Sequence, residues 1–356
     1  MGTPGHMAHP FDVDEVQTGQ DLIDYINNAA LQLHAGEIEG SVKWDGINTS
    51  FKLITNDKGQ KEFRMDRGTS EIASVIGFNA EMAFKKWGST HGMPQAIATV
   101  LKIFNTVIPN IEQELKILGM WDDPTKYFNT EYIEGKSNVQ EYDENILAIH
   151  GINQFYEKKA QAWRIRDGTS MDRPGAPRPV DSDGDPIKSG GIEIPYNHKA
   201  LISLIQKVQT TASKYGFKIY GDVPVFFDPE LEFVDLEEAL RTPVTIRISP
   251  NNVQTGTLRE WLQRVEHPGV KKITRARDKR EINALSKDVY MAVLNSARRD
   301  GGALSNYLEF EKDIDEAING GIFYHATRLL GQTVKNALTS EAGSLSAHEG
   351  VVLRGL

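Results

Sequence analysis

Two short segments near opposite ends of the chain carry residues that could do covalent chemistry. Lys43 begins the tetrapeptide Lys-Trp-Asp-Gly, and Glu349 lies in the segment His348 to Arg354. The tetrapeptide alone is weak support, because at average composition roughly one chain of this length in ten contains a Lys-x-Asp-Gly by chance. Apolar and β-branched residues flank both segments, so each residue is predicted to emerge from a strand and point into one shared pocket. An amine and a carboxylate placed together are the groups required for lysine-dependent nucleotidyl transfer.

Further segments follow in an order typical of one enzyme family. Asn48 completes the spacing Lys-x-x-Gly-x-Asn, Arg67 lies in Asp-Arg-Gly, and Glu131 lies in Phe-Asn-Thr-Glu-Tyr. With these motifs the chain resembles the ATP-dependent polynucleotide ligases of the covalent nucleotidyltransferase superfamily, and most of all the phage-type RNA ligase 2 group. Asn48 favours RNA ligases, because DNA ligases and capping enzymes usually carry Arg there. The resemblance covers about residues 8–230 and 345–356.

The resemblance implies a role for each motif residue. Lys43 would attack the α-phosphate of ATP, which requires a neutral amine although the ordinary pKa of lysine is about 10.4. Glu131 and Glu349 would orient the lysine and hold Mg²⁺ or Mn²⁺, because hard cations prefer carboxylate oxygens. The remaining residues would contact ATP and its phosphates, the arginines through planar forks. They are Val42, Gly46, Asn48, Arg67 and Arg354.

The family also carries two features that this sequence does not match. A purine usually stacks on an aromatic residue in a strand after the third motif, but residues 146–152 offer only aliphatic residues, Gly and His150. His150 is predicted to be a packing or hydrogen-bonded histidine. The family's final lysine motif is expected a short distance after the fourth, but it does not occur before Leu356. Either the sequence is cut before that motif, or the protein lacks this lysine and with it some catalytic steps.

The expected function is ATP-dependent ligation of a polynucleotide, of RNA type. Lys43 would become adenylylated, AMP would pass to a 5′-phosphate, and a 3′-hydroxyl end would then displace AMP. DNA ligation and GTP-dependent capping remain alternatives, as does a noncatalytic nucleic-acid-binding protein with this fold. ATP and Mg²⁺ or Mn²⁺ are the expected cofactors, and the expected partner is a polynucleotide with 5′-phosphate and 3′-hydroxyl ends.

The expected fold class is α+β, with a ligase adenylation core of antiparallel sheets and an inserted helical domain. Residues 1–7 are interpreted as a tag remnant, residues 8–230 and 345–356 as the core, and residues 231–344 as the insertion, which could also bind a protein partner. The insertion contains a basic run that either contacts nucleic-acid phosphates or begins a solvated amphipathic helix. Its basic residues are Lys271, Lys272, Arg275, Arg277, Lys279 and Arg280.

Periodicity and turn residues predict the elements that position these groups. A helix over residues 21–33 is followed by a hairpin over residues 41–54 that carries Lys43. Further helices are predicted at residues 81–87, 94–117 and 198–215, with strands at 128–133, 146–156 and 217–227. From residue 231 the pattern is mostly helical, with candidates at 258–265, 281–299, 304–319 and 321–338.

Composition indicates a soluble enzyme of the cytoplasm, and the resemblance to phage-type ligases implies a phage-encoded protein that acts in the host cytoplasm. The chain has 356 residues, 39% of them hydrophobic, and the sequence shows no long apolar run or secretory signal. It contains no cysteine, which excludes disulfides, zinc-thiolate sites and cysteine catalysis. The net charge of −9 argues against nonspecific coating of nucleic acid, although a ligase needs only a local basic footprint.

Overall fold

The fold is mixed α+β and divides into two compact units. The computed structural model describes residues 9–10, 13, 15–67, 77–135, 142–155, 189–228, 236–249, 251–266, 302–303, 314–345 and 348–354. The first unit consists of Lys43–Val223 with Ala347–Glu349, and the second of Met7–Val42, Pro224–Ser346 and Gly350–Leu356.

Helices and strands alternate along the described parts of the chain. The helices are α1 (Gly19–Ala35), α2 (Ala80–Trp87), α3 (Gly92–Ile117), α4 (Lys199–Lys214), α5 (Leu236–Leu240), α6 (Leu258–Arg264) and α7 (Ile314–Asn336). The first seven strands are β1 (Glu39–Lys43), β2 (Ile47–Thr55), β3 (Lys61–Arg67), β4 (Lys126–Ile133), β5 (Asn145–Phe155), β6 (Ser189–Pro195) and β7 (Phe217–Tyr220). The others are β8 (Val225–Phe227), β9 (Pro243–Ser249), β10 (Asn252–Thr257), β11 (Gly302–Ala303), β12 (Leu338–Ser340), β13 (Gly343–Ser344) and β14 (Gly350–Arg354).

The first unit is built on one sheet with the strand order β3-β2-β4-β5-β6 and with β7 beside β5. Neighbouring strands are antiparallel except for β5 and β7, which are parallel. Side chains alternate between the two faces of a strand, so one face of this sheet carries Phe51, Phe63 and Phe128. Helices α2, α3 and α4 contribute buried residues to the same core, Ala83, Phe104 and Leu204 among them.

The opposite face of this sheet is polar. On β2 it carries Asn48, Ser50 and Lys52, and on β4 it carries Asn129 and Glu131. Direct pairing joins Asn48 to Glu131 and Ser50 to Asn129. Residues opposite each other in an antiparallel pair lie on the same face. Ser50, Lys52 and Asn129 are buried, whereas Asn48, near the lysine loop, is exposed.

The second unit has its own core between helices and short strands. Helix α1 begins with a capping box, in which Thr18 accepts from the Asp21 amide and the Asp21 side chain accepts from the Thr18 amide. Its apolar face packs with α6 and α7. The buried residues of this core include Leu22, Ile26, Leu258, Trp261, Ile322 and Phe323.

Three small sheets complete the second unit. They have the orders β1-β14, β10-β9-β11 and β13-β12-β8.

No helix in the described parts of the chain is both long enough and apolar enough to cross a membrane.

The structure confirms the predicted helices as α1, α2, α3, α4 and α6, and α7 accounts for the candidate at 321–338. The predicted strands correspond to β4, β5, β7 and β8. The predicted hairpin over residues 41–54 is wrong, because β1 pairs with β14 while β2 pairs with β3 and β4. The amides of Asp45 and Gly46 between these strands donate to other elements of the first unit, so they do not close a hairpin turn.

The predicted insertion contains strands as well as helices. β9 and β10 form an antiparallel hairpin that leads directly into α6. Contacts also group residues 7–42 with this region, although the sequence assigned residues 8–42 to the core. The physical reason is the apolar face of α1, which packs on α6 and α7. The candidate helix at 281–299, the basic run at 271–280 and residues 304–313 lie outside the described residues.

Candidate functional site

Lys43 and Glu349 form an ion pair in the first unit. Lys43 is the last residue of β1, and Glu349 directly precedes β14. Lys43 Nζ contacts Glu349 Oε2, and the two side chains are 27% and 31% exposed. The amine and the carboxylate that the sequence predicts to share a pocket are therefore in contact, although they are far apart along the chain. Both groups remain accessible to a ligand from solvent.

Glu131 lies in β4 with both carboxylate oxygens engaged. Oε1 accepts a hydrogen bond of 3.1 Å from the Gly46 amide, in the loop that follows Lys43. Oε2 lies 3.4 Å from His150 Nε2. Each carboxylate oxygen has a further lone pair, so these contacts orient the group without using all of its capacity. Glu131 thereby connects the sheet to the lysine loop.

Gly46 is packed too closely against β4 to carry a side chain. A Cβ atom at this position would lie 2.7 Å from Tyr132 O and 2.8 Å from Glu131 Cγ. Real Cβ contacts almost never fall under 3.0 Å, and a backbone oxygen cannot move aside cheaply. The glycine of the motif is therefore required for the approach of the lysine loop to the Glu131 strand.

His150 lies at a β-bulge between β4 and β5. Asn129 pairs with Gly151 and Thr130 pairs with Ile149, so His150 is the extra residue of the bulged strand. Gly151 has a φ of 148°, a value that residues with a side chain rarely adopt. The His150 Nδ1 atom lies 2.7 Å from Asp222 Oδ1.

The two carboxylates control the ionisation of His150. Burial lowers the pKa of His150, but the hydrogen bonds and charges of Asp222 and Glu131 outweigh burial and raise it to about 9. The ring is therefore an imidazolium at neutral pH. The sequence had assigned His150 only a packing or hydrogen-bonding role. The adjacent glycine inside a strand was the signal of a bulge.

The rings of Tyr142, Tyr220 and His348 contact Trp44, the residue that follows Lys43. The Trp44 ring stacks on Tyr220 at 5.3 Å and meets His348 edge-on at 5.3 Å. The Tyr142 hydroxyl accepts a 3.0 Å hydrogen bond from the Asp45 amide. Trp44 is 1% exposed, so it anchors the loop and is not available to stack on a base.

Several acidic groups lie close enough to Tyr142 to act on its ionisation. Burial raises its pKa to about 12, and the charges of Asp45, Glu131 and Glu349 act in the same direction against the hydrogen bond from the Asp45 amide. Tyr142 stays protonated at neutral pH.

Several buried polar atoms on the polar face of the sheet have no hydrogen-bond partner among the described residues. They include Ser50 Oγ and Asn129 Oδ1, which occupy opposite positions on β2 and β4, and Asn153 Oδ1 on β5. A buried polar group without a hydrogen bond costs about 1 to 3 kcal/mol. Asn48, two register positions nearer the lysine loop and opposite Glu131, is exposed. Ser50 is 0% exposed and Asn129 8% exposed, so neither atom is open to a ligand in this conformation.

The other predicted site residues are less closely connected to Lys43. Val42 is buried in β1, one residue before the lysine. Arg67 is the last residue of β3, where its backbone pairs with Thr49, and its side chain lies outside the description. Arg354 ends β14 in the second unit, and its Nη1 donates to Ser41 Oγ at 3.4 Å. The six basic residues at 271–280 lie outside the described residues.

The donor set for a metal is limited to two carboxylates. No group of three or more His, Asp or Glu side chains within the described ranges is arranged to hold a metal ion. Mg²⁺ usually keeps several water ligands and is held by one or two carboxylates together with substrate phosphates. Glu349, which contacts Lys43, and Glu131, which binds the loop after Lys43, provide two carboxylates of that kind.

Comparisons with family models, with curated proteins and with solved structures found no match to this chain.

Proposed function

We propose that this protein is an ATP-dependent polynucleotide ligase of RNA type that works through a covalent lysyl-AMP. The observation that carries the proposal is the contact of Lys43 Nζ with Glu349 Oε2. Glu131 supports it by binding the loop that follows the lysine. An accessible amine beside a carboxylate, with a second carboxylate fixed nearby, is the arrangement that nucleotidyl transfer to lysine requires.

In the first step the Lys43 amine attacks the α-phosphorus of ATP. A nitrogen–phosphorus bond forms, the bond to the bridging oxygen breaks, and pyrophosphate leaves in line with the attack. Glu349 Oε2 orients the amine and accepts its proton. AMP then passes to the 5′-phosphate of a polynucleotide, and a 3′-hydroxyl displaces AMP to seal the strand.

Glu131 and Glu349 would hold the divalent cation. When bound, Mg²⁺ or Mn²⁺ neutralises phosphate charge and helps to align the triphosphate. Glu131 also keeps the lysine loop in place through the Gly46 amide.

The polar face of the sheet suggests where the rest of the nucleotide binds. Ser50 and Asn129 lie two register positions beyond Asn48 and Glu131 along β2 and β4. Positions two residues apart on a strand are separated by about 6.6 Å, which is within the length of a nucleoside. Because Ser50 and Asn129 are buried and Asn48 is exposed, a nucleotide with its phosphates at Lys43 would place its ribose or base near Asn48.

The direct test is incubation of the protein with ATP labelled at the α-phosphate and with Mg²⁺. We expect a protein–AMP adduct that is stable in alkali and released by acid, as a phosphoramidate is. Labelling by GTP in place of ATP would move the protein to the capping class. No labelling by any nucleoside triphosphate would contradict the proposal and favour a noncatalytic nucleic-acid-binding protein. Sealing of nicked RNA and nicked DNA duplexes then separates the two ligase classes.

Gly46→Ala is expected to reduce adenylylation about 100-fold, the effect of displacing a reacting group by about 1 Å. The new methyl group cannot enter without moving Glu131 or the lysine loop. The rate of labelling by ATP measures the effect. Gly92→Ala is the matched control, because a Cβ atom at Gly92 meets nothing within 4 Å. Equal labelling of the two variants would show that the close approach of Gly46 to β4 is unimportant.

A further inference from the structure

His150 joins two carboxylates that are remote in sequence. Its Nδ1 atom contacts Asp222 Oδ1 at 2.7 Å, and its Nε2 atom lies 3.4 Å from Glu131 Oε2. Ionised carboxylates only accept hydrogen bonds, so both ring nitrogens must carry protons in this arrangement. The Asp222 side chain is 2% exposed, so it is held in place by its surroundings and can fix the position of the His150 ring.

Glu131 connects His150 and Asp222 to the lysine loop. Its second oxygen accepts from the Gly46 amide at 3.1 Å, and Gly46 lies three residues after Lys43. The connected groups therefore run in the order Asp222, His150, Glu131 and the Gly46 amide. All four belong to the first unit.

The fold gives His150 a position that a regular strand would not. The bulge opposite Asn129 and Thr130 interrupts the alternation of β5, and bulges of this kind redirect a side chain. The side chain is 20% exposed, so it is largely enclosed between its two partners. A histidine needed only for packing would not require a carboxylate at each nitrogen.

We infer that His150 is a positioning residue for nucleotidyl transfer, because it holds Glu131 and through Glu131 the loop that carries Lys43. The inference rests on the proposed function, which supplies the reaction. Its structural part is independent of that reaction. His150 determines which rotamer Glu131 adopts, and Glu131 determines where the Gly46 amide lies.

Two substitutions separate positioning from packing. His150→Phe keeps a ring in the site and removes both hydrogen-bond donors. His150→Gln keeps one donor, because the Gln amide nitrogen reaches as far as His Nε2 and can still donate to Glu131. His91→Phe is the matched control, since His91 accepts from the Met93 amide at the start of α3.

Two measurements are made on each variant. The first is the rate of ATP labelling at saturating ATP, together with the KM for ATP. The second is amide hydrogen exchange of Gly46, compared with exchange in β4 and β5. The first follows the reaction, and the second follows the contact of Glu131 with the loop without any need for ATP.

We expect His150→Phe to lower the maximal labelling rate about 10- to 100-fold, the usual cost of losing a residue that orients a ligand or catalytic group. The KM for ATP should change little, because His150 acts through Glu131. Exchange of the Gly46 amide should increase while β4 and β5 stay protected. His150→Gln should recover most of the rate, and His91→Phe should label as the unaltered protein does.

Labelling of His150→Phe at the unaltered rate, with Gly46 still protected, would overturn the inference. Increased exchange throughout β4 and β5 would overturn it as well, because His150 would then support the fold in general. If the unaltered protein is not labelled at all, the proposed function fails. Gly46 exchange alone then decides whether His150 positions the loop.

Discussion

Lys43→Ala is expected to abolish labelling by ATP, because it removes the nitrogen that forms the bond to phosphorus. The protein should stay folded, since an ion pair as exposed as Lys43 with Glu349 contributes about 1 kcal/mol or less. Lys43→Arg sharpens the test. Arginine keeps the positive charge beside Glu349, but its guanidinium has a pKa above about 12 and does not act as a nucleophile. Both variants should be unlabelled, and thermal unfolding should show both folded.

A matched control for this prediction is Lys116→Ala. Lys116 also pairs with a glutamate, Glu112, at 2.5 Å in the same unit. Its loss should leave labelling unchanged. Mass spectrometry of the labelled protein should place AMP on Lys43 alone. Labelling of Lys43→Ala at another lysine would contradict the assignment of the nucleophile.

The pairing of Lys43 with Glu349 could be predicted from the sequence because both residues border short apolar runs. Such runs predict strands that can bring distant residues together. The helices could also be predicted from the sequence, because the apolar positions of α1 and α3 recur with helical spacing. The Thr18 capping box marks where α1 begins.

Strand pairing could not be predicted in the same way. Two strands joined by a short loop suggest a hairpin. Strand β1 is followed by β2 after a short loop, yet it pairs with β14, about 300 residues away. Local sequence does not specify such partners, because the contacts that decide them are distant along the chain. The β9–β10 hairpin was overlooked for a related reason, since its strands are short and lie before the helical pattern of α6.

The role of His150 depended on two features that only the structure brings together. Its contact with Asp222 spans 72 residues, and its direction depends on the bulge at Gly151. A glycine inside a strand can indicate a bulge, but it does not indicate which side chain the bulge redirects or toward what. Functional groups joined by irregular backbone are therefore harder to predict than groups at strand ends.

Glu349→Gln is expected to lower the rate of Lys43 adenylylation about 100- to 10,000-fold, the range for loss of a general acid or base. Glutamine keeps the shape of the side chain but removes the charge that orients the amine and the capacity to accept its proton. The labelling rate across a Mg²⁺ titration measures the effect. Glu112→Gln is the matched control, since it alters the glutamate of the Lys116 pair.

Glu131→Gln is expected to impair Lys43 adenylylation in a different way from Glu349→Gln. This difference tests the proposed roles of the two carboxylates separately. The glutamine oxygen can still accept from the Gly46 amide, but its amide nitrogen would then face the donor at His150 Nε2, which lies 3.4 Å from the carboxylate oxygen it replaces. While His150 stays protonated at both nitrogens the two donors repel, so the side chain turns and releases one of its partners. We therefore expect a higher Mg²⁺ requirement together with faster exchange of the Gly46 amide, whereas Glu349→Gln should leave that amide protected. Normal labelling of both glutamine variants at every Mg²⁺ concentration would show that the carboxylates are structural and that the site lies elsewhere.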